Sequence, residues 1–136
     1  LYVDRAVLPG MVDRGRGTVV HIGSIAGHDV YPGGNVYCAT KHAVRALTGS
    51  LRLDLNGTGV RVCSIDPGLV ETEFSVVRFR GDEDRASAVY RGMTPLAPED
   101  VAEAVVFAAS RPDHVDVAEL LLLPTDQASP TVVHRG

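Results

Sequence analysis

The sequence predicts an α/β fold built on a parallel sheet, and three observations carry that prediction. Apolar runs at Thr18–Ile22, Val60–Ile65 and Leu120–Leu123 are strand-sized. A stretch with apolar residues at spacings of three and four precedes each run. Clusters of Gly and Pro punctuate the boundaries. Helix, strand, helix, strand, helix, strand is the rhythm of βαβ units, whose crossovers are expected to be right-handed.

Leu1, Ala6, Val7, Met11 and Val12 recur at helical spacing, and Gly15 and Gly17 stop the pattern, so residues 1 to about 14 read as the back end of a helix. Pro9 should kink it or mark its last turns. The β-branched run Thr18–Ile22 ends at Gly23-Ser24, as a buried strand does when its carboxyl end delivers a polar side chain. Gly27 and Pro32-Gly33-Gly34 then form a loop. From Asn35 to about Asn56, Val44, Leu47, Leu51 and Leu55 make one helical stripe, which Gly57-Thr58-Gly59 ends. Beside it run Ala39, Ala43, Ala46, Ser50 and Leu53, small enough for a second helix to approach; a subunit interface and a sandwiched helix are both compatible with this. Val60–Ile65 is the second strand, closed by Asp66-Pro67-Gly68. Residues 69–95 mix aromatic and charged side chains without a period, as a mobile substrate loop with one short helix would. Pro98-Glu99-Asp100 opens a helix through Ser110, acidic at its positive end. Leu120–Leu123 is the third strand, and a polar tail follows.

Composition excludes several function classes. The 136 residues are 45% hydrophobic and 22% charged, ordinary for a soluble globular domain. Thirteen basic against 17 acidic side chains, with the arginines dispersed, offer no basic patch for nucleic acid. The Leu120–Leu123 run is too short to span a bilayer and the opening residues do not read as an export signal, so a cytoplasmic location is expected. Cys38 and Cys63 lack Cys-x-x-Cys spacing, and the five histidines are scattered, so neither a disulfide framework nor a metal site is expected.

The chemistry is concentrated at Ser24, Tyr37 and Lys41. Tyr37 and Lys41 are four apart on a helix, so their side chains leave the same face. A tyrosine titrates near 10 in isolation, and a nearby cation, which Lys41 supplies, should lower that value. Ser24, at a strand's carboxyl end, stands where ligands of open α/β sheets bind and can hydrogen-bond a substrate oxygen. Alone, Tyr-x-x-x-Lys says little; the ordered set of strand, Gly23-Ser24, Gly-rich loop, Tyr37, Lys41, second strand, Pro67-Gly68 and Thr72 says much more.

Through Ser24, Tyr37-Cys38-Ala39-Thr40-Lys41 and Pro67-Gly68-Leu69-Val70-Glu71-Thr72, the sequence resembles the short-chain dehydrogenase/reductase family over essentially its whole length. The resemblance implies a doubly wound, Rossmann-like domain of which residues 1–136 are the carboxyl-terminal part. It implies an oxidoreductase that moves a hydride between NADP or NAD and a small hydroxy or carbonyl substrate, working as a homodimer or homotetramer. In it Tyr37 is the general acid/base, Ser24 positions the reacting oxygen, and Lys41 lowers the tyrosine pKa and holds the nicotinamide ribose. Pro67, Gly68, Val70 and Thr72 line the nicotinamide. The run Thr72-Glu73-Phe74-Ser75 and Val77-Arg78-Phe79-Arg80-Gly81-Asp82 is similar to the NADP-dependent 3-hydroxy acid and serine dehydrogenase branch. Arg78 or Arg80 can then grip a substrate carboxylate; solvated pairs with Asp82 to Asp84 are an equally open reading.

The family's glycine-rich phosphate turn is absent from residues 1–136, so NADP cannot be told from NAD on these residues. The strand Thr18–Ile22 is expected to keep an unpaired edge, and the fragment alone to be inactive and poorly soluble. Two rival readings are a degenerate fragment acting only as an oligomerisation module, and a serine hydrolase using Ser24. The second lacks the Gly-x-Ser-x-Gly elbow and a helix directly after the serine.

Overall fold

A computed structural model describes residues 1–136. Helix α1 spans Tyr2–Asp13, strand β1 Gly17–Ile22, helix α2 Asn35–Asp54 and strand β2 Val60–Pro67. Two short helices follow, α3 at Phe74–Arg78 and α4 at Glu83–Ala88; then come α5 at Pro98–Ala109 and β3 at Glu119–Leu122. The three strands form one sheet in the order β1-β2-β3, with both pairs parallel. The predicted fold class is observed, every element within a few residues of its expected bounds. Helix α1 runs through Pro9, and no helix is long and apolar enough to cross a membrane.

Alternation along β2 places the core on both faces of the sheet. Val60 and Val62 pack with Leu55 against Leu8, Met11 and Leu51, so α1 and α2 cover one face. Cys63 and Ile65 pack with Ala108 against Val101, Ala104 and Val105, so α5 covers the other. Burial on that side pushes the Cys63 thiol up to about 11. A strand buried on two faces carries apolar residues on both, and Val60, Val62, Cys63 and Ile65 made Val60–Ile65 legible as a strand.

Two parallel connections that step the same way along a sheet have opposite hands if their helices lie on opposite faces. That is the case here, since α2 joins β1 to β2 on one face and α5 joins β2 to β3 on the other. One of the two therefore departs from the right-handed expectation. The departure is possible because residues 68–97 make a long excursion beyond the strand ends before α5 begins, which lets the chain change faces.

Three further features correct the expected organisation. A single 3₁₀ turn, Ile25–Gly27, follows Ser24 directly, with the Ser24 hydroxyl accepting from the Ala26 N–H at 3.1 Å. Residues 69–95 carry two short helices, not one. The polar tail is folded in: Gln127 is buried and accepts from Leu69 N–H at 2.8 Å, and Gly136 N–H donates to the Gly92 carbonyl. β1 is an edge strand, as expected.

Arg61 fixes the far side of the sheet. Its guanidinium donates to the Thr18 hydroxyl and to the carbonyls of Ala109, Arg111 and Val115, occupying carbonyls that the end of α5 leaves open.

Candidate active site

The carboxyl ends of β1 and β2 open into a cleft of about 680 Å³. Ser24, Tyr37, Lys41, Pro67, Gly68, Val70, Thr72 and Arg78, all singled out in the sequence, line it. Arg80 does not.

Each strand end is shaped by a close approach. At Gly23 a Cβ would lie 1.8 Å from Asp66 Oδ1, so the backbone turns toward Ser24 only because that position has no side chain. At Gly68 a Cβ would lie 2.2 Å from Gln127 Oε1, the atom that caps Leu69 N–H. Ser24 follows in extended conformation, with φ −176°. A strained nucleophile elbow is therefore absent, and the hydrolase reading loses its geometric premise.

On α2, Tyr37 and Lys41 project toward the cleft one turn apart, with the ammonium 5.8 Å from the tyrosine ring centroid. Lys41 Nζ donates to the Ile22 carbonyl at 3.1 Å, which ties it to the end of β1. It is the single lysine among 13 basic side chains, all others being arginine. An ammonium on a flexible stem can be tuned by burial as a guanidinium cannot. Burial lowers its pKa, and Asp66 opposes that shift.

Tyr37 departs from expectation. Its phenol is held above its ordinary value, chiefly by burial. The groups acting in the lowering direction are the Ser24 hydroxyl and the Arg78 guanidinium, not Lys41. Helical spacing places Lys41 on the right face, but its first partner is a backbone carbonyl rather than the phenol.

Arg78, at the end of α3, has its guanidinium 5.6 Å from the Tyr31 ring centroid and 5.8 Å from that of Tyr37. It makes no ion pair with Asp82, Glu83 or Asp84. Asp82 instead caps α4 by accepting from Arg85 N–H at 3.0 Å. Arg78 lines the cleft without an acidic partner. Phe74 packs against Tyr37 with ring centroids 5.6 Å apart.

Sequence reasoning missed the wall built by the tail. Gln127, Thr131, Val133 and Arg135 line the cleft opposite α2. Arg135 donates to the Val89 carbonyl at 3.0 Å and also to that of Arg91, tying the tail to residues 69–95. It missed equally the group formed by His28, Asp66 and Glu119. His28 Nε2 lies 2.7 Å from Asp66 Oδ2 and 3.2 Å from Glu119 Oε1, across sequence separations that no local pattern signals.

Matched against known protein families, residues 1–83 fit the family described as short chain dehydrogenase. Over 131 residues the chain is 47% identical to the NADP-dependent 3-hydroxy acid dehydrogenase of Schizosaccharomyces pombe, covering 96% of this chain and 51% of that protein. It is 50% identical over 137 residues to the NADP-dependent 3-hydroxy acid dehydrogenase YdfG of Escherichia coli K12, covering 99% and 55%. The closed form of a serine dehydrogenase complexed with NADP+ superposes with a TM-score of 0.93 at 50% identity, covering 99% of this chain and 55% of that one. The chain spans about half the length of the curated relatives it matches.

Proposed function

From the premise that this chain belongs to the short-chain dehydrogenase family, we propose that it is the proton-transfer and substrate-binding half of an NADP-dependent oxidoreductase acting on 3-hydroxy acids or serine. The observation that carries the proposal is the convergence of Ser24, Tyr37, Lys41 and Arg78 on one cleft. Ser24 donates to the substrate oxygen, and Tyr37 gives that oxygen its proton in reduction and takes it back in oxidation. Arg78 receives the carboxylate through its two-pronged guanidinium.

The site fits a nicotinamide ring and its ribose. Pro67, Gly68 and Val70 present backbone and small apolar surface, while Lys41 and Thr72 bring the donors that hydroxyls and a carboxamide require. The bound nicotinamide supplies or accepts the hydride. Lys41 holds the ribose through its ammonium, while Ser24 and Arg78 act in the direction of the phenolate. Residues 1–136 are read as the carboxyl-terminal part of one Rossmann-like domain, with 69–95 as an adjustable substrate loop. The exposed face of α2 formed by Ala39, Ala43, Ala46, Ser50 and Leu53 suits the contact of a homodimer or homotetramer. A cytoplasmic location completes the reading.

The test is an assay of the full-length protein containing this chain with NADP and with NAD against L-serine, 3-hydroxypropionate and 3-hydroxyisobutyrate. NADP-dependent turnover of at least one, abolished by Tyr37→Phe, is the expected result. No turnover of any of the three, or full activity in Tyr37→Phe, sinks the proposal.

A further inference from the structure

Beside the cleft lies a charged group that the proposed chemistry does not use. Asp66 is only 1% exposed, although it carries a carboxylate. It is fixed on three sides. Ser64 Oγ donates to Oδ1, His28 Nε2 lies 2.7 Å from Oδ2, and Oδ1 fills the space where any side chain at position 23 would begin. The next residue back, Ile22, carries the carbonyl that receives Lys41 Nζ. The carboxylate is therefore pressed against the strand end to which Lys41 is tied.

A carboxylate buried this deeply is costly unless a cation compensates it. Arg45 is already paired with Glu119 at 3.0 Å. The acidic, basic and titratable groups around Asp66 are His28 after β1, Cys63 on β2, Glu119 on β3 with Arg45 of α2 paired to it, and Lys41 on α2. His28, Asp66 and Glu119 have donor atoms within 4.8 Å of one another and suit a divalent cation by type. Ser64 donates to Asp66, and Arg45 to Glu119.

Resting on the reading of Lys41 given above, we propose that Asp66, clamped by His28 and Ser64, is a positioning residue that keeps the Lys41 side chain an ammonium drawn to the end of β1. Burial alone favours the neutral amine at Lys41, and Asp66 is the charge that opposes it. Asp66 touches neither substrate nor cofactor in this role and acts through the lysine.

The experiment titrates Lys41 in the full-length protein by NMR of ¹³C-labelled lysine side chains, with the signal assigned by Lys41→Arg. Asp66→Asn keeps the size of the side chain and one acceptor oxygen, replaces the other oxygen by an amide donor, and removes the charge. It should lower the Lys41 midpoint by roughly one pH unit. Glu119→Gln, which leaves Asp66 charged, should shift it much less. If Asp66→Asn fails to fold, Asp66→Ser relieves the crowding at Gly23 and must show the same downward shift. An unmoved midpoint in the folded variant overturns the proposal, as does a shift in Glu119→Gln equal to that in Asp66→Asn. The titration reads Lys41 whatever reaction the protein performs, so its failure is distinct from failure of the oxidoreductase reading, which the Tyr37→Phe assay decides.

Discussion

The two sides of the cleft are built on different principles. The floor, Gly23-Ser24 and Asp66 to Gly68, sits at the ends of parallel strands whose backbone ladder continues beneath it, and Ser24 and Asp66 are almost wholly buried. The wall, residues 69–95, has two helices of five and six residues and is held by a handful of links. The Tyr90 hydroxyl donates to the Val70 carbonyl at 2.8 Å and lies 2.7 Å from Ser75 Oγ, and one parallel bridge joins Val70 to Leu96. Phe74 and Arg78 are exposed. Groups that must hold a reacting oxygen to within a fraction of an ångström belong on the floor, while groups that admit and grip a substrate can stand on a surface that opens locally at low cost.

The sharpest break with this contrast would come from Tyr37, which α2 delivers to the floor. Tyr37→Phe should lower kcat by about 10³-fold with the fold intact, since it removes only the hydroxyl that carries the transferable proton; steady-state kinetics and circular dichroism check both halves. Gly23→Ala comes next, because its methyl meets a buried carboxylate. It should cost about 2 kcal/mol of stability, read as a lower urea midpoint. On the wall, Arg78→Leu should raise KM for a 3-hydroxy acid about 20-fold while kcat changes little, and Arg80→Ala should leave both alone. An equal loss of kcat in Arg78→Leu would move Arg78 from the wall to the floor. The smallest effect is expected at Tyr90→Phe, about 1 kcal/mol, read as faster amide exchange across 69–79 with the exchange of β2 unchanged.

The sequence made the floor legible because its signals are local. Strand ends marked by Gly23-Ser24 and Pro67-Gly68, and Tyr37 and Lys41 one helical turn apart, need no knowledge of distant residues. The tail that lines the cleft and the charged group were hidden because their contacts are long-range. Nothing near Gln127 tells that it will cap Leu69, and nothing near His28 names Asp66 or Glu119. The same blindness explains why the upward shift of the Tyr37 phenol by burial was not foreseen. Spacing finds Lys41 on the correct face but cannot weigh its burial, or see that Ile22 offers it a carbonyl. Arg78 and Arg80 were indistinguishable until α3 ended between them. Arg80 then takes a left-handed backbone, φ 57°, and its side chain does not reach the cleft.

The solitary lysine has a practical consequence. Within these 136 residues, Lys41 carries the single side-chain amine, so every amine-selective reagent acts here as a footprinting agent for the cleft. Acetylation followed by mass spectrometry would report, peptide by peptide and without any turnover assay, whether a dinucleotide shields the site.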